Sequence, residues 1–356
     1  MKIFFSIGHI GLGGTQRVTI NLINWIIRNT SHNVTLIIKS KSKESEYKYP
    51  LNGIKYINLP DEKINKIISL RKILKKETPD ILVSMGMPES AFDSIASFGL
   101  GIKYIISERN DPNSFNGKKT TILISRFLAC LADGFVFQTK DAMDFYNRKY
   151  YKNGTIIPNP LLGIDEMPLS PFSGRRKKEI VSVGRLNSQK NFSMLIDAFN
   201  IFNKAKPGYS MIIYGEGPEK NNLLNKIKEL NLDGIVILHG AISNVVEMIY
   251  ESSLFVLSSD FEGMPNALME AMALGIPCIA TDCSCGGPKS LIENNRTGIL
   301  TPVGDCQMLA QHMINLLNNS DKLKKISEGA FQIREKLNVA NISNMWLSYM
   351  EKVLNK

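Results

Sequence analysis

Apolar positions along this chain alternate between two spacings. Short unbroken runs at residues 2–8, 34–38, 54–59, 80–84, 103–107, 134–138 and 155–157 read as buried strands. Between them, residues 15–28, 63–77, 88–99 and 139–150 carry apolar side chains three or four apart, as Val18, Leu22, Trp25 and Ile26 do. That spacing predicts helices packed by one face. Strand followed by helix, repeated, implies a mostly parallel sheet with both faces covered. The rhythm stops at Pro158, Asn159 and Pro160 and stays broken through Pro168, Pro171 and Gly174, a linker composition. It resumes with strands at 179–184, 209–214, 235–238, 254–257, 277–281 and 298–300, helices at 192–203 and 266–274, and helical segments to the end. A chain of 356 residues also exceeds the usual size of one hydrophobic core. The expected order is an α/β domain over 1–160, a linker over 161–175, a second α/β domain over 176–338, and a last helix over 339–356.

Ligands of parallel sheets bind beyond the carboxyl ends of the strands, so the loops there carry the chemistry. Residues 258–282, SSDFEGMPNALMEAMALGIPCIATD, read as loop, helix and strand. Glu262 stands before the helix and Glu270 on its second turn, and Gly275 ends it. A helix N-terminus offers unpaired N–H groups that suit a phosphate, and carboxylates accept the hydroxyls of a sugar. Upstream, Gly184-Arg185-Leu186-Asn187-Ser188-Gln189-Lys190-Asn191 joins a strand to a helix. There a forked guanidinium and an ammonium bracket a position suited to a diphosphate.

Glu262-x7-Glu270 within FEGMPNALMEAMALGIPCIATD, preceded by GRL-x-x-Q-K-N, resembles the donor site of the GT4 family of retaining, nucleotide-sugar-dependent glycosyltransferases. The resemblance is strong over residues 179–305 and diffuse over 1–160. It implies the GT-B architecture, two Rossmann-like domains facing across a cleft. It also implies a UDP-sugar donor held by the second domain: Arg185 and Lys190 on the diphosphate, Glu270 on ribose hydroxyls and Glu262 on the donor sugar. Gly263, Met264, Pro265, Asn266 and Leu268 would line the anion site with backbone groups. Gly215 and Gly217 would lie against the nucleotide, and Ala241 and Ile242 against its base.

In the first domain the loop His9-Ile10-Gly11-Leu12-Gly13-Gly14 has the wrong glycine spacing for a dinucleotide fingerprint, and Lys39 ends the second strand where an acid is expected. Gly13 and Gly14 read instead as points of close backbone approach, facing donor phosphates and acceptor in the family. Many GT4 members carry a histidine after the strand at 103–107. Glu108, Arg109 and Asn110 stand there in this chain, and Glu108 and Arg109 are candidates for its contacts, or for capping that loop.

Composition narrows the partners. With 44% hydrophobic and 21% charged residues the chain is an ordinary globular one. Its net charge of +10 is uneven: residues 1–165 hold 23 Lys and Arg against 14 Asp and Glu, and the remainder 20 against 19. Lys63, Lys66, Arg71, Lys72, Lys75 and Lys76 share one amphipathic helix, and Lys118 and Lys119 precede an apolar segment at 121–131. These fit an anionic membrane surface or a plain solvated face equally well. The lysines lack interleaved aromatics, which argues against nucleic acid. No apolar run reaches the roughly 18–20 residues of a membrane span. The chain opens directly on a strand, without a signal pattern. Five scattered cysteines, Cys283 and Cys285 among them, suggest neither disulfides nor a metal site, so a reducing cytosol is expected. Two cations and a helix N-terminus could neutralise departing UDP with no metal and no further cofactor. The expected function is transfer of a hexose or N-acetylhexosamine to a glycan, polyprenyl-diphosphate-linked, at the inner face of the cytoplasmic membrane. A UDP-sugar epimerase of the same architecture and a non-catalytic nucleotide-sugar-binding subunit share these features.

Overall fold

The alternation of apolar runs and amphipathic segments folds into two parallel sheets wrapped by helices. The computed structural model describes residues 1–356 apart from 12–13, 41–50, 52, 113–118, 147–150, 152 and 243. One unit comprises Met1–Leu162 and Leu337–Lys356, the other Gly163–Lys336. The first runs β1 (Lys2–Ile7), α1 (Gly14–Asn29), β2 (Asn33–Ile38), β3 (Lys55–Asn58), α2 (Lys63–Glu77), β4 (Ile81–Met85), α3 (Met87–Ser97), β5 (Lys103–Ser107), α4 (Lys119–Ala129), β6 (Gly134–Phe137), α5 (Lys140–Phe145) and β7 (Gly154–Ile156). The second runs β8 (Lys177–Val183), α6 (Phe192–Ala205), β9 (Ser210–Tyr214), α7 (Lys220–Glu229), β10 (Val236–Gly240), α8 (Val245–Ile249), β11 (Ser252–Leu257), α9 (Asn266–Ala273), β12 (Cys278–Thr281), α10 (Gly287–Leu291), β13 (Ile299–Thr301), α11 (Cys306–Leu317), α12 (Ser320–Phe331) and α13 (Ile333–Lys336). Then α14 (Val339–Leu354) returns to the first unit.

Among the described residues the first sheet has seven strands in the order β3-β2-β1-β4-β5-β6-β7, and the second has six, β10-β9-β8-β11-β12-β13. Neighbouring strands pair in parallel throughout, as in Ile3↔Ile81 of the first sheet and Ile180↔Met211 of the second. Parallel strands need helical crossovers, so both sheet faces are buried and the strands read as apolar runs. Phe4, Phe5, Ile106 and Val136 are sealed in the first core, and Phe199, Phe202, Ile213, Leu254 and Leu309 in the second. Each such side chain contributes roughly 1.5–3 kcal/mol by leaving water.

α14 is fixed to the first unit at a defined point. Its Tyr349 hydroxyl accepts the Phe135 N–H at 2.8 Å and donates to the Asn153 carbonyl. A Cβ on Gly134 would lie 2.4 Å from that hydroxyl, so a larger residue there would push Tyr349 off its two bonds. Two local differences from the expected pattern have physical causes. The helix expected at 139–150 is described only as α5, entered by Thr139, whose hydroxyl accepts the Ala142 N–H at 3.0 Å, and left at an extended Tyr146; residues 147–150 lie outside the described residues. Helix α7 was not anticipated, because Leu223 and Ile227 are its only buried anchors.

Candidate active site

The second sheet winds outward from β8 through β9 to β10, then returns past β8 to continue from β11. Loops leaving the adjacent strands β8 and β11 therefore diverge to opposite faces, which opens a crevice beyond their carboxyl ends. Lys190 lies on the first of these loops and Glu262 on the second.

The first loop is set by backbone bonds to its neighbours. Gly184 N–H donates to the Tyr214 carbonyl at 3.0 Å, Leu186 N–H to Glu216 at 2.9 Å, and Gly215 N–H to Gly240 at 2.9 Å. A Cβ on Gly215 would lie 1.8 Å from the Gly184 carbonyl oxygen, and one on Gly217 2.2 Å from that of Leu186. The close approach these glycines permit is thus between two loops. The stem of Lys190 lies over Gly184, where a Cβ would come within 3.0–3.3 Å of its carbons.

Asparagine then shapes both ends of a single 3₁₀ turn, Ser188–Lys190. Asn187 caps it, and Asn191 ends it at φ 43°, in the left-handed region that asparagine tolerates. The Asn191 side chain accepts the Met194 N–H at 3.1 Å to start α6 and donates to Asp260 at 2.7 Å on the second loop. Three more bonds join the two loops: Gln189 Nε2 to the Phe261 carbonyl at 2.9 Å, Asp260 N–H to the Gln189 carbonyl at 2.9 Å, and Ser258 Oγ to the Lys190 carbonyl at 2.8 Å. The loop after β12 supports this pair, with Ser284 bridging to Phe261 and Gly287 packed so tightly on the Gly263 carbonyl that a Cβ would sit 2.0 Å from it.

On this scaffold Lys190 Nζ and Ser259 Oγ both donate to one oxygen of Glu262, the hydroxyl at 2.7 Å. Thr281 holds Ser259 in turn, donating to its carbonyl at 2.5 Å. Oε2 of Glu262 takes no hydrogen bond among the described residues. Eight residues on, Glu270 is buried on the second turn of α9. Met264 and Pro265 are buried at the entrance to that helix, Asn266 and Gly263 half-buried, and Leu268 fully buried. Pro265 immediately precedes α9 without a side-chain cap and, having no N–H itself, adds no donor to that helix end. Arg185 is exposed on the first loop, Ala241 is exposed and Ile242 half-buried after β10. The expected donor residues of this unit therefore line up beyond four consecutive strands, β10, β9, β8 and β11.

In the first unit Glu108 and Arg109 follow β5, both buried. Glu108 closes its own loop, accepting the N–H groups of Arg109 at 2.9 Å and Asn110 at 3.1 Å and the Tyr146 hydroxyl at 2.6 Å. Burial pushes its carboxyl above the usual range despite those donors. Arg109 Nη2 donates to Asn159 Oδ1 at 2.6 Å, an oxygen that also takes Gln138 Nε2 at 2.6 Å. Its Nε and Nη1 meet no hydrogen-bond partner among the described residues, and burial lowers its pKa to about 10. Gly14 opens α1 and is exposed, while Gly13 lies outside the described residues.

Sequence reasoning missed the supports: Ser259, Thr281 and the Asn191–Asp260 bond. Ser259 and Asp260 lie inside the quoted motif, but nothing in their spacing tells a loop-holding side chain from a ligand-binding one. Lys39, read as the wrong residue for a ribose contact, is turned inward and ion-paired to Asp93 at 2.8 Å. Among the described residues no three His, Cys, Asp or Glu side chains gather as a metal site, and all five cysteines are free thiols.

Residues 166–333 match the family described as Glycosyl transferases group 1. An uncharacterized glycosyltransferase of Haemophilus influenzae is 29% identical, the alignment covering 97% of this chain and 98% of that protein. The GalNAc-alpha-(1->4)-GalNAc-alpha-(1->3)-diNAcBac-PP-undecaprenol alpha-1,4-N-acetyl-D-galactosaminyltransferase of Campylobacter jejuni is 27% identical, covering 100% and 99%. The crystal structure of Anabaena HepE in complex with UDP-glucose has a TM-score of 0.85 at 18% identity, covering 99% of this chain and 100% of that one. The shared fold is GT-B.

Proposed function

We propose that this chain, whose residues 166–333 match the glycosyl transferases group 1 family, moves a hexose or N-acetylhexosamine from a UDP-sugar to a polyprenyl-diphosphate-linked glycan, with retention, in bacterial polysaccharide assembly. The observation that carries this reading is the Lys190–Glu262 pair at the switch point of the second sheet, with one carboxylate oxygen open. A cation for a diphosphate and an acceptor for sugar hydroxyls are what a nucleotide sugar requires side by side. The complex of HepE with UDP-glucose and the undecaprenol-linked glycan named for the Campylobacter enzyme support these classes of donor and acceptor.

In this reading UDP-sugar displaces the internal pair. Lys190 and Arg185 turn to the diphosphate, and Glu262 takes hydroxyls of the sugar. Glu270 accepts ribose hydroxyls, and the N–H groups around Gly263, Met264 and Asn266 face the β-phosphate. Gly215, Gly217, Ala241 and Ile242 flank the nucleotide, and Gly13, Gly14, Glu108 and Arg109 belong to the acceptor-binding unit. The bond between anomeric carbon and β-phosphate oxygen breaks as the acceptor hydroxyl oxygen bonds to that carbon from the same side. The hydroxyl proton passes to the departing diphosphate, whose charge the two cations and the α9 N-terminus neutralise without a metal ion. The basic first unit suits an acceptor at an anionic membrane surface. No described helix is long and apolar enough to cross a membrane.

The test is a panel of UDP-hexoses and UDP-N-acetylhexosamines with lipid-linked acceptor, read by the mass of the lipid product and the anomeric configuration of the new bond. Isomerised UDP-sugar without acceptor gives the chain to the epimerases instead. Binding without any transfer, for every donor, makes it a non-catalytic subunit.

A further inference from the structure

Helix α4 is built inside out. The described side chains it buries are Ser125 and Ala129, and Arg126 lies half-buried between them in sequence, donating to the Pro112 carbonyl at 2.8 Å and lying over the Phe145 ring. Most of its described large apolar side chains face water, Leu128 being half-buried: Leu123 is 65% exposed, Ile124 56%, Phe127 77%, and Leu131, just past the helix, 46%. Leu123 and Phe127 stand four apart, a spacing that puts them on one face, and Leu131 continues it. A globular helix normally turns such a stripe to the core. Single exposed apolar residues need no explanation, but a grouped set does.

The neighbouring helices extend the pattern. α3 packs against both α2 and α4, and Arg71 of α2 donates to the Ala96 and Phe98 carbonyls at the end of α3, at 3.0 and 2.8 Å. Ile95 of α3, Phe98 just past it, and Ile64 and Ile68 of α2 are exposed too, and α2 presents Lys63, Lys72, Lys75 and Lys76 to solvent. Counted by unit, the first holds 25 Lys and Arg against 14 Asp and Glu, a net of +11, and the second 18 against 19, a net of −1.

The geometry points to α4, flanked by α3 and α2, as a face that docks on an anionic lipid bilayer. Leu123, Ile124 and Phe127 enter the boundary between headgroups and acyl chains, and the α2 lysines meet the lipid phosphates. A peripheral helix of this kind combines buried apolar area with attraction to anionic lipid. A second copy of the chain is the competing occupant, but it would bring a net +11 against another +11, whereas an anionic leaflet supplies the opposite charge. The inference rests on the proposed lipid-linked acceptor only for its purpose, since it places unit and acceptor at one surface.

Co-sedimentation of the full chain with vesicles tests it, using phosphatidylcholine alone and phosphatidylcholine mixed with phosphatidylglycerol. The chain is expected to pellet with the anionic vesicles, less so as salt is raised. Leu123→Ser with Phe127→Ser should weaken that partition by about tenfold or more, while UDP-sugar binding, which belongs to the other unit, stays unchanged. Phe127→Trp should shift its emission to the blue on anionic vesicles, a reading independent of how the serine variant folds. Absence of anionic-vesicle binding, or full binding by the well-folded double variant, overturns the docking face. So does a wild-type dimer that the double variant dissolves, which would give the face to a second copy. Vesicle binding without sugar transfer would sink the proposed function and leave the docking intact; transfer without vesicle binding would do the reverse.

Discussion

Two lysine–carboxylate pairs near the carboxyl ends of the sheets, Lys39–Asp93 and Lys190–Glu262, have opposite characters. In the first unit Lys39 and Asp93 are sealed, with side chains 1% and 0% exposed. Asp93 also takes the Ser84 hydroxyl at 2.5 Å and the Ser6 hydroxyl at 3.2 Å, so both of its oxygens are engaged. In the second unit Lys190 and Glu262 are 16% and 8% exposed, and both donors crowd onto one oxygen. A pair with every site filled has nothing left for a ligand and stabilises one arrangement of its helix and strands. A pair with an open oxygen, carried on two loops braced to each other, is poised to exchange partners. Removing one member should therefore cost folding in the first case and turnover in the second.

The largest effect belongs to Asp93→Ala. It strands an ammonium in the interior, a change worth about 3–5 kcal/mol, and urea unfolding should show that loss in the first unit. Replacing both partners with apolar residues, Lys39→Met with Asp93→Leu, should restore much of it. A stable Asp93→Ala protein would erase the distinction between the pairs. Next comes Lys190→Ala, which removes a cation from the departing diphosphate. Transfer should slow by roughly 10²–10³-fold, while unfolding shifts less than for Asp93→Ala. If unfolding moved as much as turnover fell, Lys190 would be a structural residue after all.

Glu262→Gln sharpens the same contrast with a smaller change. The amide keeps the shape but no longer competes for Lys190, so UDP alone should bind as tightly as before or more so. UDP-sugar should lose about tenfold, near 1.4 kcal/mol, because its hydroxyls lose a charged acceptor. Calorimetric titration with both ligands separates these outcomes. Equal loss for UDP and UDP-sugar would place Glu262 away from the sugar.

How much of this was legible in the sequence follows from the range of each interaction. Strands and helices are local patterns, and the runs around Phe4, Ile213 and Leu254 announced their burial. Arg185, Lys190, Glu262 and Glu270 sit in two short segments whose order fixes their neighbourhood once the sheet is parallel. The Lys39–Asp93 pair spans 54 residues and rests on how α3 packs over β1 and β4, which no spacing records. At Gly215 and Gly217 the sequence shows that a side chain is missing, but not that the carbonyls of Gly184 and Leu186 stand where a Cβ would be. The apolar segment at 121–131 was visible as well, but its periodicity is the same whether the stripe faces a core or water.

Glu108 tests whether the sealed character extends to the loop after β5, and its effect is the smallest. Burial raises its carboxyl above the ordinary value near 4.5, outweighing the Tyr146 hydroxyl and the Asn110 and Arg109 amides that favour the charged form. An acid whose pKa is raised on folding binds more protons folded than unfolded over that window. Its contribution to stability therefore declines as the pH climbs from about 4.5 through the raised value, and is constant beyond it. Glu108→Gln cannot ionise, yet its carbonyl can still accept both backbone N–H groups and its amide can donate to the Tyr146 oxygen. The variant should lose this part of the pH dependence while its stability near neutrality changes by about 1 kcal/mol or less. Urea midpoints for both proteins from about pH 4 to about pH 8 would show the wild-type curve falling relative to the variant across that window. Parallel curves would mean that Glu108 is as charged folded as unfolded, and its loop would then belong with the open pair of the second unit.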